Sequence, residues 1–301
     1  MKYQSIMQSE SVLLYLNTIS QYMVGSSLQT TIQQSAFTNY PLLKNVFEKL
    51  NTNSQYGQKF FNFTSYSEYN QSVFITGESY EINLDDRIRE IHQGSKQFSE
   101  EEVSNLVQSV SWIAIFAYEL SLPLLLNTLN LVRHSGGNYK LLLAEATLKL
   151  NEYVRLYPHD RSIPFLTNGQ LEKCRQIFDR NPRKDKLSYE DVYILPIFYS
   201  GALVLYYALS GKDLESSKQD IENGLKDLQK FSNTISNMKY GSLIVSMLMV
   251  FSEKQSVREF KNMCQKLFGC LPCDKSAFSV SNPVSETTNK VNFSSKVIQI
   301  K

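Results

Sequence analysis

Three carboxylates that lie close together in the sequence could bind a metal ion. Asp85, Asp86 and Glu90 occupy one short segment, and carboxylate oxygens are the protein ligands that Mg²⁺ prefers beside substrate phosphates. Their spacing does not complete an aspartate-rich motif, and no second set of carboxylates occurs between residues 233 and 242, where a partner motif would be expected. We therefore interpret the three residues as the solvated start of a helix, which the helix dipole favours. No catalytic residue and no cofactor site is predicted.

The spacing of cysteine and histidine does not complete a metal site either. Cys270-x-x-Cys273 is one half of a zinc-ligand pattern, but no second pair of ligands follows it. None of the three histidines belongs to an H-x-x-H or H-E-x-x-H motif. No metal site is predicted, and free thiols in a reducing, intracellular setting are expected because the first ten residues do not form a secretory signal. The four cysteines are Cys174, Cys264, Cys270 and Cys273.

The charge of the chain gives no reason to expect strong binding to polyanions. The 301 residues include 31 Lys and Arg against 29 Asp and Glu, and the two signs are mixed along the sequence. Nucleic acids and anionic membranes are bound through clusters of basic residues, so neither is expected as a direct partner. The aromatic and polar segment 51–81 has Lys59 as its only cation, which also disfavours a stacking platform for single-stranded nucleic acid.

The uncharged stretch Val192–Leu209 could form either a membrane span or a buried helix. Its length is at the lower limit of a transmembrane helix, and Pro196 interrupts it. Ser188 and Asp191 resemble a capping box directly before it, and Gly211 supplies a helix stop. The pattern therefore predicts a buried core helix that begins at Ser188 and is kinked at Pro196, with no membrane contact.

Hydrophobic periodicity indicates an all-α fold of about ten helices. Apolar residues recur at helical spacing in most segments, as at Val12, Leu16 and Ile19. Ser99 followed by Glu102 is a capping box that predicts the start of a long helix, and Ser256 followed by Glu259 is another that predicts the start of the last helix. Asp213 is predicted to cap the amphipathic helix that follows it. The predicted helices cover residues 10–34, 41–50, 84–92, 99–122, 124–132, 138–156, 168–178, 188–210, 213–235, 242–251 and 256–268.

These elements divide the chain into four segments. Residues 1–50 contain N-terminal helices, and residues 51–98 form an irregular aromatic and polar connection with a short strand near Ser72–Thr76. Residues 99–273 form the main helical core. Residues 274–301 are rich in Ser, Asn and Lys without a period, which predicts a mobile, disordered C-terminal tail. The first three segments are expected to form a single large irregular helical bundle.

Two segments of the helical core resemble a known family. Leu195–Ala202, with the sequence LPIFYSGA, lies in an apolar helix that is followed by an amphipathic helix and a second apolar helix. Ser111–Glu119, with the sequence SWIAIFAYE, lies in an earlier long helix. Over roughly residues 99–267, this pattern resembles the C-terminal helical regulatory domain of fungal zinc-cluster transcription factors.

The resemblance implies a regulatory domain that senses an effector, contacts transcriptional co-regulator proteins or forms a homodimer. It also implies a nuclear or nucleo-cytoplasmic location. In that family a separate N-terminal module with six cysteines and two zinc ions reads DNA, and this sequence contains no C-x2-C-x6-C pattern. Either the chain is a regulatory fragment whose zinc module would be encoded upstream of Met1, or the resemblance is only architectural. In both cases we expect no direct DNA binding by this chain.

An effector of such a domain is expected to be an apolar small molecule. The kink predicted at Pro196 would open a gap in the core, and a ligand could fill this gap. Residues on the most apolar helices offer rings, thioethers and hydroxyl groups for binding. At helical spacing such residues are more often ordinary core, and that alternative stays open. The candidate lining is Trp112, Phe116, Tyr193, Phe198, Tyr199, Tyr206, Met247 and Met249.

Two other functions stay open. A helical protein-interaction scaffold unrelated to transcription would bind partners through the exposed faces of the same helices. An all-α metal-dependent diphosphate enzyme would bind magnesium diphosphate through Asp85 and Asp86, and would lose that binding when both are replaced by Asn.

Overall fold

The computed structural model contains two antiparallel sheets and seven helices within the part of the chain that it describes. It describes residues 19–24, 26–33, 47–48, 50, 59–94, 97–120, 124–142, 176–177, 179–181 and 194–269. The strands are β1 Ile19–Val24, β2 Ser27–Gln33, β3 Ser65–Tyr69, β4 Ser72–Glu78, β5 Ile82–Asn83, β6 Leu131–Arg133 and β7 Tyr139–Leu141. The helices are α1 Leu84–His92, α2 Glu100–Glu119, α3 Pro196–Ser210, α4 Leu214–Lys226, α5 Leu228–Thr234, α6 Gly241–Phe251 and α7 Val257–Phe268.

The fold is mixed α/β, so the prediction of an all-α bundle of about ten helices is wrong. The predicted helix 10–34 contains the β1–β2 hairpin, in which Ile19 pairs with Ile32. The apolar residues of this segment fit a period of two as well as a helical period, and neighbouring residues such as Thr30 and Thr31 are β-branched. Pairing of β2 with β4 then stabilises the extended conformation of β2 over a helix.

The helices predicted at 124–132 and from Asn138 onward are also wrong where the structure describes them. β6 and β7 form a hairpin there, and β5 pairs with β6 to complete the second sheet in the order β5-β6-β7. Leu131 and Leu141 are opposite each other in the hairpin, and both are buried. Three-residue strands give too few alternations for the sequence pattern to distinguish them from a helix.

The first sheet has the strand order β1-β2-β4-β3. The strand predicted near Ser72–Thr76 is confirmed as the first part of β4. Asn70 and Gln71 form the two-residue turn between β3 and β4, both with positive φ, of 47° and 60°, as a type I′ turn requires. Asn62 connects the two sheets: its backbone N–H donates to Leu141 O at 2.8 Å, and its side chain bonds both backbone groups of the last residue of β4.

Helix α2 starts where the sequence predicts, and Ser99 caps it by accepting a hydrogen bond from the Glu102 backbone N–H at 3.0 Å. The Glu102 carboxylate does not return to the cap, because Arg87 binds it. At α7, by contrast, Ser256 and Glu259 form the complete predicted capping box. A local cap thus sets the start of each helix. Only the Glu259 carboxylate also binds its own cap residue, whereas the Glu102 carboxylate binds Arg87.

Helix α3 is the buried centre of the helical part. Helix α3 begins at Pro196. The predicted start at Ser188 lies outside the described residues, and so does most of the segment before Pro196 on which the predicted kink depends. Gly211 ends the helix with φ 69°, as predicted. A Cβ atom at Gly201 would lie 3.3 Å from Val110 Cγ1 of α2, so glycine permits close packing of these helices.

Among the described helices, none combines the length and apolar character needed to cross a membrane. The predictions for residues 143–175, 182–193 and 270–301, including the disordered tail, lie outside the described residues.

Candidate functional site

Two of the predicted effector-binding residues, Trp112 and Phe116, lie together on α2. Their ring centroids are 6.0 Å apart. Phe60 lies 6.5 Å from Trp112 and 5.4 Å from Phe116 by the same measure. All three rings are buried, and the indole Nε1 of Trp112 has no hydrogen-bond partner within the part of the chain that the structure describes. The ring of Phe60 therefore occupies the space beside these two candidates.

The candidates on α3 contact three different parts of the core. The ring pairs, with centroids 5.4–5.6 Å apart, are Phe198 with Phe260, Tyr199 with Phe251, and Tyr206 with Phe231. Met247 lies next to Gly201, Met249 is half-buried, and Tyr193 lies outside the described residues. The structure thus brings the two α2 candidates together and places the described α3 candidates against separate neighbours. The effector pocket stays a prediction.

The carboxylates Asp85, Asp86 and Glu90 lie on α1 and already have protein partners. Those partners are Thr128 and Arg89 for Asp85, Asn83 and Arg89 for Asp86, and Arg87 for Glu90. Among the described residues, no group of three or more His, Cys, Asp and Glu side chains could hold a metal ion.

Cys264 is the one cysteine within the described residues, and it is buried on α7. Burial raises the pKa of its thiol to about 12. A protonated, buried thiol is a poor nucleophile and a poor metal ligand. Cys174, Cys270 and Cys273 lie outside the described residues.

A buried ion pair that sequence reasoning missed joins α1, α2 and the β6–β7 hairpin. Arg87 donates two hydrogen bonds of 2.9 Å to the carboxylate of Glu102, and both residues are nearly inaccessible to solvent. Tyr139 donates a third hydrogen bond to the same carboxylate, at 3.1 Å. Burial by itself would raise the pKa of Glu102, but the hydrogen bonds and charge of Arg87 outweigh it and hold this pKa below its ordinary value. The pair therefore stays charged and locks the three elements together.

A second polar cluster joins the hairpin to the end of β4. The carboxylate of Glu78 lies 2.5 Å from Lys140 Nζ and 3.4 Å from His134 Nδ1. His134 is buried, and its Nε2 has no hydrogen-bond partner among the residues described. Burial, followed by the charge of Lys140, lowers the pKa of His134. At neutral pH the imidazole is therefore neutral.

A groove of about 410 Å³ lies between the end of α6, the start of α7 and the C-terminal end of α2. Leu195 and Val250 supply a buried apolar floor, and Val257 is half-buried. Charged and hydroxyl-bearing side chains surround this floor. The full lining is Tyr118, Leu195, Val250, Glu253, Lys254, Gln255, Ser256, Val257 and Glu259.

The connection between α6 and α7 forms one wall of this groove and is held by hydrogen bonds. Lys254 N–H donates to Met249 O at 2.8 Å, and Ser246 Oγ donates to Gln255 Oε1 at 2.6 Å. Glu253 has φ 52°, a left-handed conformation that costs a non-glycine residue about 1 kcal/mol. This φ belongs to the Schellman motif that ends α6, because Glu253 N–H also donates to Val250 O at 3.0 Å. The wall is therefore preorganised.

The sequence contained only part of the signal for this groove. The capping box at Ser256 correctly placed the start of α7. The approach of Tyr118 to this helix start depends on packing between helices that are far apart in the sequence, and Tyr118 is oriented by an edge contact with Phe198 at 6.3 Å. No family model matches this chain, and no curated protein matches it significantly.

Proposed function

We propose that this chain is a regulatory domain without catalytic activity that binds a protein partner in the groove between α6 and α7. The observation that supports this proposal is the groove itself, which has an apolar floor, a polar rim and a preorganised wall. Protein interfaces share this anatomy of a buried apolar centre surrounded by polar side chains. A wall that is already ordered lowers the entropy cost of binding.

The more specific assignment to a fungal zinc-cluster transcription factor stays a proposal, and so do its implied partners. They are an apolar small-molecule effector, transcriptional co-regulators and a second copy of the chain, in an intracellular, nuclear location. The four-stranded sheet departs from the all-helical domain that the resemblance implied. Partner binding does not depend on that assignment, so we place it first.

A second candidate rests on fold-level analogy alone. Protein kinases also combine a sheet with a helical part, and they bind and transfer phosphate with a Gly-rich loop, a strand lysine, and the aspartates of H-R-D and D-F-G motifs. This sequence contains no G-x-G-x-x-G, H-R-D or D-F-G motif, and β2 and β4 contain no lysine. A kinase-like scaffold with this sequence would lack the groups for phosphoryl transfer. It too would act by binding.

A site-specific photocrosslinker tests the proposal. We would place it at Lys254, which is exposed on the groove rim, and as a matched control at Leu214, which is 45% exposed on α4 and does not line the groove. We expect a discrete crosslinked partner from extracts of the source cells at Lys254 only, and the same crosslink with the purified partner. Identical crosslinks at both positions, or none at Lys254, would contradict the proposal.

Thermal shift measurements separate the alternatives. Stabilisation by an apolar small molecule without a protein partner would favour effector sensing. Stabilisation by Mg²⁺ with ATP or a diphosphate would favour an enzyme, because a ligand stabilises only the folded state to which it binds.

A further inference from the structure

We propose a pH-sensitive latch in which the ion pair of Glu78 and Lys140 fastens the β6–β7 hairpin to the end of β4 while His134 beside it is neutral, and which opens when the imidazole takes up a proton. This device is separate from the groove. It regulates the junction between the two sheets.

The geometry of the junction supports this role for His134. Oε2 of Glu78, the last residue of β4, lies 3.4 Å from His134 Nδ1 and 2.5 Å from Lys140 Nζ. His134 directly follows β6, and Lys140 belongs to β7. One carboxylate oxygen therefore contacts both sides of the hairpin. The latch consists of these three side chains.

Burial makes protonation of the latch costly. His134 is only 6% exposed, and its Nε2 has no partner among the described residues. Protonation would require both ring nitrogens to donate, which would leave a buried, charged N–H without an acceptor. It would also place a second positive charge beside Lys140. Opening the junction to water removes both costs.

The charged groups around His134 determine the direction of the effect. Burial and the charge of Lys140 of β7 oppose the protonated ring, whereas Glu78 of β4, a backbone hydrogen bond with Ser79 and Glu81 of the connection to β5 favour it, and the net effect is a lowered pKa of His134. Two further charged residues near this junction, Arg133 of β6 and Glu102 of α2, lie 3.8 Å apart. The pKa of His134 is therefore lower in the closed junction than in the open one.

The sign of the pH dependence follows from this difference. Because the open form binds a proton at higher pH than the closed form, the closed junction is fully stable above the ordinary histidine pKa of about 6.5. Its stability falls as the pH drops below that value. One linked proton changes the opening equilibrium by up to about tenfold per pH unit.

Two backbone hydrogen bonds cross the same junction and report on its opening. Glu81 N–H donates to Arg133 O at 2.8 Å, and Asn62 N–H donates to Leu141 O at 2.8 Å. Their exchange with solvent requires the junction to open, so their protection measures the latch directly.

Hydrogen exchange of the full chain between pH of about 7.5 and 5.5 tests the inference, across the titration range of histidine. We expect the protection of the Glu81 and Asn62 amides, corrected for intrinsic exchange, to fall towards pH 5.5 in the wild-type protein. His134→Gln should remove this pH dependence. His92→Gln, the same change at a histidine outside the junction, should preserve it.

The inference fails if wild-type protection at these amides does not change with pH, or if His134→Gln keeps the dependence. NMR titration of the wild-type His134 ring provides a second measurement in case the variant does not fold. The ring should gain its proton over the same pH range in which protection falls. A ring that stays neutral throughout that range overturns the proposal.

Discussion

Replacing Glu102 by alanine should strongly destabilise the fold. Arg87 and Glu102 are 5% and 6% exposed and share two hydrogen bonds of 2.9 Å. The variant leaves the guanidinium buried without its main counter-charge, a change that costs about 3–5 kcal/mol. Glu90 and the carbonyl of Gln97 still contact Arg87 at 3.2 and 3.1 Å. They compensate in part, so we expect a loss of about 3 kcal/mol, at the lower end of this range.

Urea denaturation followed by the fluorescence of Trp112 measures this loss. Trp112 is the only tryptophan of the chain and lies on the same helix as Glu102, fully buried. Glu101→Ala is the matched control, because it removes an adjacent, exposed glutamate and should change the free energy of unfolding by no more than about 0.5 kcal/mol.

A paired replacement separates the cost of an orphaned charge from the net contribution of the ion pair. Arg87→Met combined with Glu102→Leu removes both charges, so it should be less destabilising than Glu102→Ala alone. If Glu102→Ala costs less than about 1 kcal/mol, or if the paired variant loses the sum of the single effects, then the ion pair does not hold the elements together as argued.

Three further predictions concern stability. Acid should weaken the fold as the pH falls below the ordinary glutamate value of 4.5 and through the lower pKa that Glu102 has in the folded chain. Glu102→Gln should flatten this part of the pH profile of urea midpoints. Gln71→Gly should stabilise by about 0.5 kcal/mol in thermal unfolding, since glycine adopts the positive φ of this turn without strain, and an unchanged or lower midpoint would contradict the assigned turn. Gly201→Leu should destabilise by about 2–3 kcal/mol in urea, since a Cβ there already lies 3.3 Å from Val110, whereas a neutral result would indicate looser packing between α2 and α3.

Local signals in the sequence placed several helix boundaries correctly. Ser99, Asp213 and Ser256 cap the helices that follow them, and Gly211 ends α3 in the left-handed conformation. Each of these signals acts within one turn of helix, through a side chain and backbone groups three residues away. A single sequence contains all the atoms that such a cap needs, so the prediction required no knowledge of the rest of the fold.

The sheets could not be predicted in the same way, because their strands form hydrogen bonds with partner strands that are distant in the sequence. β2 pairs with β4, and Phe61 forms a bridge with Leu141. Segment 10–34 has apolar residues that suit either period, so pairing across the sheet, not local preference, determines the conformation of its described residues 19–24 and 26–33.

The ion pair of Glu102 and the junction around His134 were decided by tertiary structure for the same reason. Glu102 has the sequence pattern of a capping-box residue, but folding brings Arg87 to it, and a buried guanidinium binds a carboxylate more strongly than an exposed backbone N–H does. The junction around His134 joins β4 to residues more than fifty positions later in the chain. The sequence by itself determined where helices are capped, because capping is local. Only the tertiary structure decided which charges are buried together, because burial depends on how distant segments pack.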